Sequence, residues 1–191
     1  MREIEQISHA IGDPPAVVGL SQYMLAYAAL AAGQPRTAIE PAHAATETYR
    51  RVERAHVGWS CMRLAEAYLG DGDLLAAEVT AREAINLCER TSRPFYQAIA
   101  HGVLARALLR RDGSAARAMV ESEISKAAEL IERTGGNVLI PGLCEWRAEL
   151  AAARGDDAAR IEFLREAIVA SEAIGATRRT ARLRGLVPTS C

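Results

Sequence analysis

The sequence predicts an all-α fold made of antiparallel helix hairpins, and three observations lead to that prediction. Alanine makes up 38 of the 191 residues, whereas runs of β-branched residues are few, which favours helix over strand. Gly33, Gly72, Gly113 and Gly155 recur at spacings of 39, 41 and 42 residues, each in a short polar turn. Apolar residues on both sides of each turn follow the helical period, so the repeating unit is a helix, a tight turn and a second helix.

Four such hairpins account for most of the chain, which we treat as a single domain over 1–191. Their units are predicted over 15–54, 55–92, 93–135 and 137–175, between a partial helix over 1–12 and a capping helix over 176–187. The first helices of the four units are predicted over 15–32, 56–70, 94–111 and 141–154. The second helices are predicted over 36–54, 73–91, 115–134 and 157–174.

Local signals indicate where several helices begin. Thr37 and Glu40 form a capping-box pattern, although Pro41 then either delays the helix start to about Glu40 or kinks the helix. Asp73 is placed to cap the second helix of its unit. Pro94 is placed as the first residue of a first helix, where its missing N–H costs nothing.

Small residues recur at fixed distances after the loop glycines, and they let neighbouring helix backbones approach closely. The residues five positions after a glycine are Ala38, Ala77 and Ala118. The residues twelve positions after one are Ala45, Ala84 and Ala167, with the third-unit equivalent moved to Ala127 by a two-residue insertion. Arg160 replaces alanine in the fourth unit, so we expect that unit to pack less tightly or to shift onto Ala159.

The second unit carries a pattern of large and small residues along its two helices. Its members are Leu64, Ala65, Tyr68, Gly72, Ala77 and Ala84. This pattern resembles the tetratricopeptide repeat, which implies a right-handed superhelix of about four repeats plus partial end helices. The period of about 40 is longer than the usual 34 residues. Long repeats of this kind, rich in alanine and arginine, resemble the helical region that ends bacterial maltose-activator-type regulators and adenylate-cyclase-linked signalling ATPases.

The two ends of the sequence resemble parts of the repeat. Residues 1–12 can be laid over 165–175, so we expect the chain to start part-way through a second helix. The array then either continues in a larger parent chain or docks onto a partner, including another copy, through its N-terminal end. A short native start helix that caps the array is the alternative.

Composition and motifs argue against several classes of function. A formal charge of −1 and the lack of a long basic tract argue against nucleic acid and anionic membrane as partners. Lys126 is the only lysine, so a phosphate-binding loop of the Walker type is missing. The turn Gly70–Asp73 lacks the later oxygen ligands of a calcium loop. We therefore expect no cofactor and no metal.

Cysteine and histidine are scattered along the chain. Cys61, Cys88, Cys144 and Cys191 form no C-x-x-C pair, which indicates reduced thiols in a cytoplasmic protein, the first three of them in the core. Cys61 with His56, or Cys88 with His101, offers a nucleophile and a base in principle. Neither pair comes with an oxyanion site, so we predict that the chain is not an enzyme.

Four arginines lie within the tail segment 178–184, at positions 178, 179, 182 and 184. They could grip phosphate or an acidic partner, or form the solvated face of a terminal cap.

In tetratricopeptide arrays the first helices line an inner groove that binds peptides or neighbouring domains. The residues that this register places in the groove are Tyr23, Tyr27, Trp59, Met62, Glu66, Arg106, Arg110, Glu145 and Glu149. Aromatic and arginine side chains often carry binding energy at interfaces. Trp59 could equally lie in the core, and for Trp146 we favour a core position at a helix–helix seam.

Two functions follow as hypotheses. The first is a non-enzymatic interaction module that binds a protein or peptide segment within a bacterial transcriptional or signalling regulator. The second is an effector-sensing segment that binds a small molecule in the groove and regulates an attached ATPase or DNA-binding domain.

Overall fold

The computed structural model describes residues 14–188, and that part of the chain is all-helical with no β-strand, as predicted. Its α-helices are α1 Pro15–Ala31, α2 Pro35–Val52, α3 Val57–Asp71, α4 Leu74–Arg90, α5 Pro94–Asp112, α6 Arg117–Thr134, α7 Ile140–Ala153, α8 Asp157–Ala173 and α9 Thr177–Arg184. Short 3-10 helices at Arg54–His56, Gly113–Ala116 and Asn137–Leu139 precede α3, α6 and α7. The partial helix expected over 1–12 and the thiol of Cys191 lie outside the described residues.

The ends of α1 to α8 fall within two residues of their predicted positions, because the turns between the helices carry strong local signals. Each of the four repeating loop glycines has a positive φ, between 57° and 91°. A residue with a side chain is strained in that conformation, whereas glycine adopts it freely and ends the helix.

Side-chain caps account for the starts of α4 and α8. The carboxylate of Asp73 accepts a hydrogen bond from the amide of Ala76 at 3.0 Å, as predicted. The carboxylate of Asp156 accepts one from the amide of Ala159 at the same distance. Each cap satisfies an amide that lacks a partner inside the helix, which is worth about 1 kcal/mol.

The capping box predicted for α2 does not form, and the alternative start near Glu40 is wrong. The helix begins at Pro35, after Gln34, and no side chain caps it. Thr37 and Glu40 therefore lie inside the helix, and Pro41 is accommodated within it as well. Proline is favourable at a first helical position, and that signal outweighs the capping-box pattern here.

Consecutive helices pack against each other along the chain. In addition, α1 contacts α3, α3 contacts α5 and α5 contacts α7. No comparable packing joins even-numbered helices to one another in the part of the chain that the structure describes. The surface formed by α1, α3, α5 and α7 is therefore continuous, and we call it the odd-helix surface.

The prediction that alanines lie at the helix contacts is confirmed for every alanine named at the two repeat positions except Ala118 of the third unit. The predicted contact alanines that have no solvent exposure are Ala38, Ala45, Ala77, Ala84, Ala127 and Ala167. Ala118 is exposed, and Val120 occupies the buried position instead. The reason is that the two-residue insertion forms the 3-10 turn at Gly113–Ala116, before this position. In the fourth unit both Arg160 and Ala159 are half-buried, so neither takes the fully buried place that alanine has in the first two units.

The buried core runs along the seams between the helices. Its largest cluster contains residues of all five helices from α3 to α7. It includes Leu104, Leu108 and Val120, each at most 2% exposed. The thiols of Cys61, Cys88 and Cys144 are free and buried, as predicted. Among residues 14–188 no helix is both long and apolar enough to cross a membrane.

Candidate binding site on the odd-helix surface

A cavity of about 470 Å³ opens on the odd-helix surface, where α1, α3, α5 and α7 meet. We call it the central cavity. Its lining residues are Tyr27, Leu30, Ala31, Gly33, Pro35, Arg63, Glu66, Leu69, Gly70, Ile99, Val103, Arg106, Arg110 and Trp146. Four residues predicted for a groove lie here, namely Tyr27, Glu66, Arg106 and Arg110. They come from three different helices, so the cavity depends on the packing of the hairpins.

Arg63 links α1 to α3 at one end of the cavity. Its guanidinium donates a hydrogen bond to the hydroxyl of Tyr23 at 2.9 Å and also pairs with the carboxylate of Glu66. The same guanidinium lies 4.9 Å from the ring centroid of Tyr27. That distance permits a cation–π interaction, which orders the arginine between two rings.

Arg110 and Arg106 link the next helices. Arg110 on α5 donates to the backbone carbonyl of Leu69 on α3 at 3.3 Å. Arg106 on α5 pairs with Glu149 on α7, and its Nε donates to both carboxylate oxygens at 2.9 and 3.1 Å. Both arginines therefore hold their own helix against a neighbouring odd-numbered helix.

Glu145 links α7 to α9. Its carboxylate lies 3.2 Å from Arg179 and 2.5 Å from Arg182. Arg184 pairs with Glu172 on α8 at 2.6 Å. Three arginines of the tail cluster thus meet carboxylates of the chain itself, and Glu145 is occupied by the tail instead of facing an open groove.

An arginine therefore bridges every pair of consecutive odd-numbered helices from α1 to α9. The lining of the central cavity contains three arginines and one glutamate. Glu66 neutralises Arg63, and Glu149 neutralises Arg106. Within residues 14–188 no carboxylate lies within ion-pair distance of Arg110, so the cavity keeps one uncompensated positive charge.

Glu66 lies between the guanidinium groups of the cavity. Burial raises the pKa of its carboxyl, whereas the charges of Arg63 and Arg106 oppose that rise. Arg179 of α9 also acts on this carboxyl. Glu66 on α3 is therefore close enough to α9 for its charge to interact with that of Arg179.

Three other residues predicted for the groove lie elsewhere. Met62 is fully buried, so the expectation that it faces a ligand is wrong. Tyr23 is 6% exposed and lies beneath Arg63. Trp59 is half-buried in an aromatic cluster, 4.2 Å from the ring centroid of Tyr23 and 5.5 Å from that of Tyr96. These rings hold the first halves of α1, α3 and α5 together.

Arg63 and Trp146 are among the residues of the central cavity that sequence reasoning did not place there. Arg63 lies one turn after Trp59 and three residues before Glu66, and that helical spacing would have placed it on the same face. Trp146 is half-buried and packs against the core as well as lining the cavity. Its ring fits because residue 102 on α5 is glycine.

Neither candidate pair of cysteine and histidine has the features of a nucleophile and its base. Burial raises the pKa of the Cys61 and Cys88 thiols to about 12, which opposes formation of a thiolate. The imidazole of His56 lies 2.8 Å from Glu53, and that of His101 donates to Glu123 at 2.5 Å.

No group of three or more His, Cys, Asp or Glu side chains in the described range could hold a metal ion. Neither the models of known protein families nor the sequences of characterised proteins match this chain.

Proposed function

We propose that this chain is a non-enzymatic protein-interaction module. In this proposal the hairpins form a right-handed superhelix of tetratricopeptide type, with about four repeats and partial end helices. The odd-helix surface is its inner groove, and the central cavity binds a segment of a partner protein. The module belongs to a cytoplasmic bacterial regulator of transcription or signalling, in which the partner is another protein or another domain of a larger parent chain.

The observation that carries this proposal is the set of side chains left available around the central cavity. Tyr27 is 49% exposed although it is a large aromatic residue, and Arg110 has no carboxylate partner in the described range. The indole of Trp146 adds a flat apolar wall. Tyrosine, tryptophan and arginine side chains that line one cavity are typical of interface residues that carry binding energy.

A second function, sensing of a small effector, is supported by the size of the same cavity. A volume of about 470 Å³ lies within the range of sites for small molecules, about 300–1,000 Å³. In that case the ligand would stabilise the contacts between α1, α3, α5 and α7 and pass the effect to an attached domain.

One experiment with two arms separates these functions. The chain is screened against a metabolite library by thermal shift and against a displayed library of random peptides. An interaction module selects peptides and shows no metabolite stabilisation, since only a ligand that binds the folded state raises the melting temperature. A metabolite that raises it by several degrees, without any selected peptide, would overturn the proposal in favour of the sensor.

A matched pair of variants then locates the binding. Tyr27→Ala removes an exposed ring at the cavity. Val79→Ala removes an apolar side chain on α4 that is 60% exposed. We expect the first variant to weaken the selected peptide at least tenfold and the second to leave it unchanged. Equal affinity of both variants would place binding outside the central cavity.

A further inference from the structure

The charge of Arg110 indicates which kind of segment the central cavity takes. Arg110 is exposed and lines the cavity, and among residues 14–188 its guanidinium hydrogen-bonds to the carbonyl of Leu69 alone, at a long 3.3 Å. The other two lining arginines, Arg63 and Arg106, already meet Glu66 and Glu149. Arg110 is thus the lining cation whose donors remain available to a ligand.

The cavity that Arg110 lines also has apolar walls. Leu69, Ile99 and Val103 line the same cavity, and Trp146 forms part of its wall. A guanidinium beside apolar walls is more weakly screened than one in open water, so it favours an anion that also fills the apolar space. Planar bidentate hydrogen bonding makes a carboxylate the best match for arginine in a peptide.

We propose that the bound segment carries an aspartate or glutamate side chain next to a large apolar or aromatic side chain. The carboxylate pairs with Arg110, and the apolar side chain enters the central cavity between Tyr27 and Trp146. This inference rests on the proposed function, because it specifies the partner segment of the same site.

The test uses selection of peptides from a random library on the full chain and on two charge-reversed variants. The peptides are displayed as fusions without a free C-terminus, so that only side-chain carboxylates can supply the anion. Arg110→Glu reverses the charge at the cavity. Arg90→Glu is the matched control, because Arg90 ends α4, is exposed and has no carboxylate partner in the described range.

The expected result is enrichment of Asp or Glu beside a large apolar residue on the unmodified chain and on Arg90→Glu. On Arg110→Glu this enrichment disappears and Lys or Arg takes its place. Changing the acidic residue of the best peptide to its amide should weaken binding about fivefold to tenfold, as expected for one partly exposed charge pair. That comparison needs no change in the protein, so it holds even if a variant is unstable.

Two results would contradict the inference, and they are distinguishable. Peptides whose acidic content does not depend on residue 110, or whose amide form binds equally well, would overturn the role of Arg110 and leave the proposed function standing. If no peptide is enriched on the unmodified chain, both the proposed function and this inference fail.

Discussion

The indole ring of Trp146 on α7 packs directly over Gly102 on α5, where any Cβ at residue 102 would overlap the ring. This contact lets α5 and α7 approach while the indole also lines the central cavity. The shape of the candidate site therefore depends on a single missing side chain.

Gly102→Ala should destabilise the chain although alanine is the better helix former. The overlap with Trp146 costs more than the gain in helix propensity of about 1 kcal/mol, so we expect a net loss of about 1–3 kcal/mol. Urea unfolding monitored by circular dichroism measures this loss in the free energy of unfolding. Gly142→Ala is the control, since its Cβ would lie 3.6 Å from the same ring and should be tolerated. Equal stability of both variants would show that the ring is not held there.

The pair of Arg106 and Glu149 should contribute only modestly to stability. The two side chains are 30% and 34% exposed, so solvent screens their attraction. A double-mutant cycle with Arg106→Gln and Glu149→Gln should give a coupling energy below about 1 kcal/mol that shrinks in high salt. A salt-independent coupling of several kcal/mol would contradict the view that this pair orients the surface without being essential to folding.

Glu123 should make stability fall in acid. Burial by itself would raise the pKa of its carboxyl, but hydrogen bonds from His101 and Lys126 outweigh burial and lower it to about 2. A carboxyl with a lowered pKa stabilises the fold above its unfolded value of 4.5, and that stabilisation is lost as the pH falls from about 4.5 towards 2.

The loss from this group is at most about 3 kcal/mol. Urea unfolding between pH 2 and pH 5, with Glu123→Gln as the comparison, isolates it from the other carboxyls. The difference in stability between the two proteins should shrink as the pH falls. A difference that does not change with pH would rule out this origin.

The three buried thiols should resist alkylation in the native chain. Burial raises the pKa of Cys144 to about 11, and those of Cys61 and Cys88 to about 12, so few thiolates form at pH 8. Mass spectrometry after iodoacetamide treatment of a Cys191→Ser variant should detect labelling only when urea is added. Rapid labelling of Cys61 or Cys88 without urea would reopen the possibility of thiol chemistry.

The helices were predictable because their signals are local. Gly33, Gly72 and the two later loop glycines mark the turns, and the apolar period between them sets each helix. The prediction that Ala118 lies at a buried helix contact was wrong, because the sequence does not show where inside a turn an inserted pair of residues lies. The structure places that pair before residue 118, in the 3-10 turn, and so moves Val120 into the core.

The candidate site was only partly predictable, because its pairs join residues far apart in the sequence. Arg106 and Glu149 lie 43 residues apart, and no local pattern states that they meet. Met62 and Glu66 share a helical face, yet Met62 is buried and Glu66 lines the cavity. The rotation of a helix against its neighbours determines which side chains are buried and which line the cavity. That rotation follows from packing across several hairpins.

Nuclear magnetic resonance mapping of a selected peptide on the ¹⁵N-labelled chain tests the interaction site most directly. We expect the largest shift changes at the indole N–H of Trp146 and at the amides around Tyr27 and Arg110. The exposed apolar residues of α4, Leu75 and Val79, should not change. Shift changes confined to α4 and the other even-numbered helices would contradict the claim that the odd-helix surface is where this protein binds its partner.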